Sequence, residues 1–227
     1  MKTILIIGGS KGIGSATINS LIEDYKIINI SRTSPEFSHP YLKHYSADIL
    51  VDELPELDRL DGLVYCPGSI NLKPIARLTL EDFRADFEIN VLGAVRCIQY
   101  YLKALKNSEN PSVVLFSTVA SKLGMPFHAS VATSKSGIEG LVKSLGAELA
   151  PSIRINAVAP TVTDTSLAEK ILRNDSMKEK MIDRHPLKKY LMPEDVAHTV
   201  SFLLSEKSNT ISGQVFELDC GLVSFKI

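Results

Sequence analysis

One short stretch constrains this chain more than any other: Gly8-Gly9-Ser10-Lys11-Gly12-Ile13-Gly14, directly behind the run Thr3-Ile4-Leu5-Ile6-Ile7. The run is too apolar and β-branched for anything but a buried strand. Behind the glycines, Ile13, Ala16, Thr17, Leu21 and Ile22 recur at helical spacing. A strand, a glycine turn and a helix together make an anion cradle. Glycines allow the backbone to approach a pyrophosphate closely, and the helix N-terminus aims free N–H groups at it. The spacing Gly-x-x-x-Gly-x-Gly differs from the common Gly-x-Gly-x-x-Gly fingerprint. A tight turn in any α/β protein can carry such glycines, so the rest of the chain has to decide.

Its 227 residues suffice for one large domain or two small ones, and a 44% hydrophobic content suits a packed globule. A formal charge of -1 supplies no basic field, so no nucleic-acid partner is expected. No stretch approaches the length of a membrane span, and the first apolar run is too short for an export signal. Cys66, Cys97 and Cys220 are scattered without metal-ligand spacing, which fits a reduced, cytoplasmic protein and implies no metal.

Strand and helix patterns alternate throughout. Lys26–Ile30, His44–Ser46, the Leu63–Val64–Tyr65 run ending in Cys66-Pro67-Gly68, Val113–Thr118, Ile153–Val158 and Gly213–Leu218 read as strands. The connection from Leu50 to Asp61 is acidic and short, a trimmed link in place of a full helix. Leu80 to about Lys106 reads as one long helix with the stripe Phe83, Phe87, Val91, Val95, Ile98 and Leu102, interrupted by Asn90. Ser130 to Leu149 and a helix opening at Pro193 follow the same logic. Residues 161–192 carry no clean strand and read as short lid helices over a substrate. The economical architecture is α/β: a single-domain, Rossmann-type, doubly wound parallel sheet with helices on both faces.

In such a sheet the end of the second strand lies beside the adenosine ribose. An acidic residue there would bind the 2′-hydroxyl of NAD. This chain instead has Ser31, Arg32 and Thr33, and Arg32 can fork onto a 2′-phosphate. With Lys11 on the same side, the expected cofactor is NADP(H).

The whole chain resembles the short-chain dehydrogenase/reductase family. The likeness rests on the glycine loop, Ile155-Asn156-Ala157-Val158-Ala159-Pro160, Thr165 five residues beyond that proline, Pro193-Glu194-Asp195-Val196-Ala197 and Ile211-Ser212-Gly213-Gln214. It implies cofactor contacts from Gly8, Ser10, Lys11, Gly12, Ile13 and Gly14. It implies further contacts from Asp48 and Ile49 beside the adenine, from Cys66, Pro67 and Gly68, and from Pro160, Val162 and Thr165. The family's Asn-Asn-Ala-Gly is here Tyr65-Cys66-Pro67-Gly68, so only the glycine is retained.

The resemblance also implies a catalytic set, and here the chain departs from the pattern. Lys135 stands where the family has the lysine of Tyr-x-x-x-Lys, but four residues earlier stands Val131. Thirteen residues before Val131, at the family's serine position, is Thr118, with Ser117 beside it. Asn90 matches a mid-helix asparagine that holds a water near the lysine; a buried asparagine satisfied by backbone fits the sequence as well. Hydride transfer to a carbonyl leaves an alkoxide that must gain a proton, which the family's tyrosine supplies. Valine has none to give. His128, seven residues before Lys135, is a candidate substitute, since histidine in general can act as an acid near neutrality; a water relayed through Asn90 and Lys135 is the other source, and an exposed loop histidine without a role is the competing reading. His185 and Tyr65 are weaker candidates.

Two functions follow. One is an NADP(H)-dependent oxidoreductase moving hydride between nicotinamide and a small-molecule carbonyl or alcohol substrate, with a non-standard proton donor. The other is a catalytically inactive NADP(H)-binding pseudoenzyme or sensor subunit. The resemblance further implies a homodimer or homotetramer.

Overall fold

The computed structural model describes residues 1–225. Among them, seven strands form one parallel sheet in the order β3-β2-β1-β4-β5-β6-β7. These are β1 (Thr3–Ile7), β2 (Lys26–Ser31), β3 (Leu42–Ser46), β4 (Gly62–Tyr65), β5 (Ser112–Phe116), β6 (Arg154–Pro160) and β7 (Val215–Leu218). The chain begins in mid-sheet, winds outward to β3, then returns to place β4 on the other side of β1. That reversal opens a crevice at the C-terminal ends of β1 and β4, the place where open α/β sheets bind ligands.

Strand periodicity divides the core in two. Leu5 and Ile7 point to one face with Leu63, Val113 and Leu115; Ile4 and Ile6 point to the other with Val64, Val114 and Val158. The first face is covered by α3 (Gly93–Lys106) and α4 (Ala129–Leu149), through Ala94, Ile98, Tyr101, Ile138 and Val142. The second is covered by α1 (Gly12–Leu21) and α6 (Pro193–Leu204), through Ile18, Leu21, Val196, Val200 and Leu203. Burial on both faces is why the β1 residues are apolar without alternation. Each fully buried Ile or Leu there contributes on the order of 1.5–3 kcal/mol.

The expected single helix from Leu80 to Lys106 is broken by a π turn. α2 (Leu80–Phe87) passes into the wide turn Glu88–Leu92 before α3 begins. The extra residue per turn swings the predicted stripe out of register. Phe87 is exposed and Phe83 half-buried, while Asp86, Asn90 and Val91 face inward. π turns of this kind are frequent at functional sites, and this one sets Asn90 in the crevice wall.

The short connection after Asp48 indeed forms no helix. Side chains from α3 hold it instead: Arg96 donates to the carbonyls of Ile49 and Asp52, Tyr100 to Leu54 (2.6 Å) and Tyr101 to Pro55 (3.0 Å). Loop carbonyls that a helix would satisfy internally thus find donors. Residues 161–192 contain a 3-10 turn (Ser166–Ala168), α5 (Asp175–Arg184) and an isolated bridge between Thr163 and Leu191. No helix among the described residues is long and apolar enough to cross a membrane.

Candidate active site

Two clefts meet at the crevice. The first, about 620 Å³, is lined by Gly8, Ser10, Lys11, Ser31, Arg32, Thr33, Asp48, Ile49, Pro67 and Gly68. Gly8 and Gly12 have φ of 78° and 55°, backbone that side chains rarely adopt. Gly14 is required for another reason: a Cβ there would lie 2.3 Å from the Gly8 carbonyl oxygen. It therefore works by packing helix against loop and does not line the cleft. Arg32 and Lys11 are exposed and make no ion pair or side-chain hydrogen bond among the described residues. Two uncommitted cations thus flank the end of β2.

A residue that sequence reasoning missed holds this loop. Asn29, fully buried in β2, accepts from the Gly9 backbone N–H (2.9 Å) and donates to Ser31 Oγ (2.8 Å), with His44 Nδ1 3.0 Å from the same amide nitrogen. Ser31 Oγ in turn donates to the Thr33 carbonyl (2.9 Å). Ser31 is therefore tied into the fold rather than a free hydroxyl. The available signal was one asparagine inside the apolar run Ile27-Ile28-Asn29-Ile30. Asp48 turns its carboxylate onto the Leu50 N–H (3.0 Å), capping its own loop.

The second cleft, about 270 Å³, brings together Thr118, His128, Val131, Lys135, Pro160, Val162 and Thr165, with Ile13 at its junction with the glycine loop. Cys66 lines neither cleft; burial pushes its thiol up to about 12, so it stays neutral. Thr118 Oγ1 has only a long contact to the Pro160 carbonyl (3.5 Å) for its proton, leaving that proton available. The neighbouring Ser117 is buried and committed to Glu139 (2.7 Å). Glu139 also accepts from Ser121, a pairing across α4 that sequence reasoning did not find.

Lys135 Nζ donates to the Phe116 carbonyl (3.0 Å). Burial brings its pKa down to about 8, opposed by the carboxylate of Asp86. Asn90 donates to the Asp86 carbonyl (2.8 Å), while its Oδ1 is buried without any partner. A Cβ on Gly68 would lie 3.0 Å from Asn90 Oδ1 and 3.5 Å from Lys135 Nζ, so both groups converge on the open space that Gly68 leaves. An orphaned buried acceptor asks for a donor. Together with the glycine cradle, that vacancy of side-chain atoms fits a nicotinamide dinucleotide laid across the crevice.

The competing histidines separate. His128 is half-buried at the start of α4, with Nδ1 2.7 Å from the Pro126 carbonyl. A carbonyl only accepts, so Nδ1 carries the proton and Nε2 is left for the cleft it lines. His185 is not an exposed loop residue: it is buried, with Nδ1 donating to the Met181 carbonyl (2.6 Å) and Nε2 2.8 Å from Thr161 Oγ1. Tyr65 is out of the site, its hydroxyl donating to the Ile89 carbonyl (2.7 Å) inside the core.

Asp86 is the other group that the sequence pattern concealed. Fully buried, it accepts from Ser69 (2.5 Å), Asn71 (2.9 Å) and Ser130 (2.7 Å), tying the loop beyond Gly68 to the residue before Val131. Asp86→Ala strands three donors at once. We expect a loss of about 2–3 kcal/mol, read as a fall in Tm of roughly 5–10 °C; an unchanged Tm would show that the network carries no stability.

Comparison with known proteins agrees with this geometry. The family model described as enoyl-(acyl carrier protein) reductase matches residues 45–223. The 3-oxoacyl-[acyl-carrier-protein] reductase FabG of Thermotoga maritima is 30% identical over 242 residues, covering 98% of each chain. A short chain dehydrogenase family protein from Francisella tularensis superposes with a TM-score of 0.89 at 25% identity, over 99% of this chain and 100% of the other. ElxO with NADP bound superposes at 0.86 with 28% identity, over 99% of each chain. With the doubly wound sheet, the glycine cradle and the lysine-lined crevice already in place, the chain belongs to the short-chain dehydrogenase/reductase family of nicotinamide-dependent oxidoreductases.

Proposed function

We propose that this protein is an NADP(H)-dependent oxidoreductase that moves hydride between the nicotinamide and a carbonyl or alcohol substrate, with a proton donor other than tyrosine. The observation that carries the proposal is one cleft lined by Thr118, His128 and Lys135, with Val131 at the expected tyrosine position and with Asn90 Oδ1 and Lys135 Nζ converging on the space that Gly68 leaves. The nicotinamide, when bound, supplies or accepts the hydride. Thr118 offers its loosely held proton to the substrate oxygen. Lys135 presents an ammonium to the nicotinamide ribose hydroxyls, and Asn90 Oδ1 accepts from a ribose hydroxyl or a water beside it. His128, protonated at Nε2 while Nδ1 stays on the Pro126 carbonyl, gives the proton that the alkoxide needs. Val131, which is buried, forms an apolar wall that keeps water from competing.

Ser10, Lys11, Arg32 and Thr33 hold the adenosine phosphate end, and the two free cations favour a 2′-phosphate. The NADP-bound relative supports the same choice. Arg32→Glu places a negative charge where the phosphate would sit. Its NADPH Kd should rise about 30-fold or more, which is roughly 2 kcal/mol, with NADH affinity unchanged or improved. Equal losses for both nucleotides would overturn the assignment.

Residues 161–192 act as a lid, with Leu167, Ile171 and Met181 on the cleft side. The protein acts in the cytoplasm as a homodimer or homotetramer, supported by the exposed apolar Phe87, Leu92 and Tyr100 along the α2–α3 helices.

A pseudoenzyme or sensor is the second reading, favoured by the absence of any ionisable group at position 131. The test is NADPH oxidation across a panel of ketones and aldehydes. Turnover supports the enzyme; tight NADPH binding with no turnover, and activity appearing only in Val131→Tyr, supports the sensor.

A further inference from the structure

The substrate cleft has a charge asymmetry that its oxidoreductase role does not require. Its walls are mainly apolar, with Ile70, Leu72, Met125, Leu167 and Ile171 among them. No Asp or Glu lines it among the described residues, yet Arg184 does. Arg184 is the last residue of α5, exposed at the cleft, and makes no ion pair or side-chain hydrogen bond among the described residues. Its neighbours on the helix do not neutralise it: Asp183 is paired with Lys188 (3.7 Å), and His185 is turned inward onto Met181 and Thr161.

We infer that the cleft takes a substrate with an apolar chain or ring that ends in an anionic group, a carboxylate or a phosphate, bound by Arg184. The inference rests on the assignment of this cleft as the substrate site. The apolar walls favour a hydrocarbon body. A guanidinium presents a planar fork of donors that pairs with either anion in bidentate geometry. With no acid lining the cleft, an incoming anion meets no like charge to oppose it.

Octanoate, octyl phosphate and octanamide share a chain and differ in the head group, so binding can be read without turnover. We expect titration calorimetry on the full chain, with and without saturating NADPH, to give at least tenfold tighter binding for one anion than for octanamide. Which anion leads identifies the head group. Arg184→Gln should remove that preference and leave octanamide binding unchanged. Equal affinity for all three, or a preference that survives Arg184→Gln, overturns the inference. Because no step depends on NADPH oxidation, a protein that shows the anion preference without turnover would fail the oxidoreductase proposal alone. A protein that turns over neutral ketones without the preference would fail only this one.

Discussion

Gly14→Ala should abolish measurable nucleotide binding while the rest of the sheet stays folded. A Cβ at this position meets the Gly8 carbonyl oxygen at 2.3 Å, Gly9 Cα at 2.9 Å and the Gly8 carbonyl carbon at 3.0 Å. All three are backbone atoms, so no side chain can rotate away. The α1 helix and the glycine loop must separate, which moves the helix N-terminus away from the phosphates it would hold. We expect NADPH Kd to rise at least 100-fold, or about 2.7 kcal/mol and more, with a lower Tm. Gly140→Ala is the matched control. That glycine lies inside α4 with nothing within 4 Å of the new Cβ. There the change should stabilise the helix by roughly 0.5–1 kcal/mol and leave binding alone. Equal behaviour of the two variants would contradict the packing argument.

Lys135→Met should produce the second large effect. The lysine ammonium sits between the Phe116 carbonyl and the space beside Gly68 and Asn90. Methionine keeps the length of the side chain and loses the charge. Without the ammonium on the ribose hydroxyls the nicotinamide loses its positioning, so turnover should fall about 10²-fold or more, with NADPH binding also weakened. The pH dependence has a definite sign. Burial disfavours the charged form and lowers the pKa to about 8. The ammonium is therefore present below about pH 8 and lost as pH rises through it. NADPH affinity of the native protein should weaken across that window, while Lys135→Met should show a flat profile there. A native profile that is equally flat would remove the ammonium from the binding step.

Much of this was legible in the sequence because it is enforced by local chemistry. Ile4 to Ile7 cannot be other than a doubly buried strand, and Gly8, Gly12 and Gly14 behind it admit few loop geometries. The clefts accordingly gather most of the residues that the motifs had singled out. What the sequence hid were polar groups whose partners come from distant elements. Asp86 looks like an ordinary acid on a charged helix, and its three donors come from a loop and from α4. Asn29 supports the glycine loop across the β1–β2 pair. The π turn at Glu88–Leu92 has no simple periodic signature, so an apolar stripe that runs through Phe83 and Phe87 at α-helical spacing does not mark the buried face there. His185 carried no sign of burial either, since its partners are Thr161 from beyond β6 and a carbonyl of its own helix.

In the proposed function, reduction proceeds without a tyrosine, through a proton given by His128. The most direct measurement is NADPH oxidation by His128→Ala beside the native protein, using any carbonyl compound that the native protein accepts. We expect a fall in kcat of about 100-fold or more, with NADPH Kd unchanged because His128 lines the substrate cleft and not the cofactor cleft. Native turnover retained in His128→Ala would contradict it.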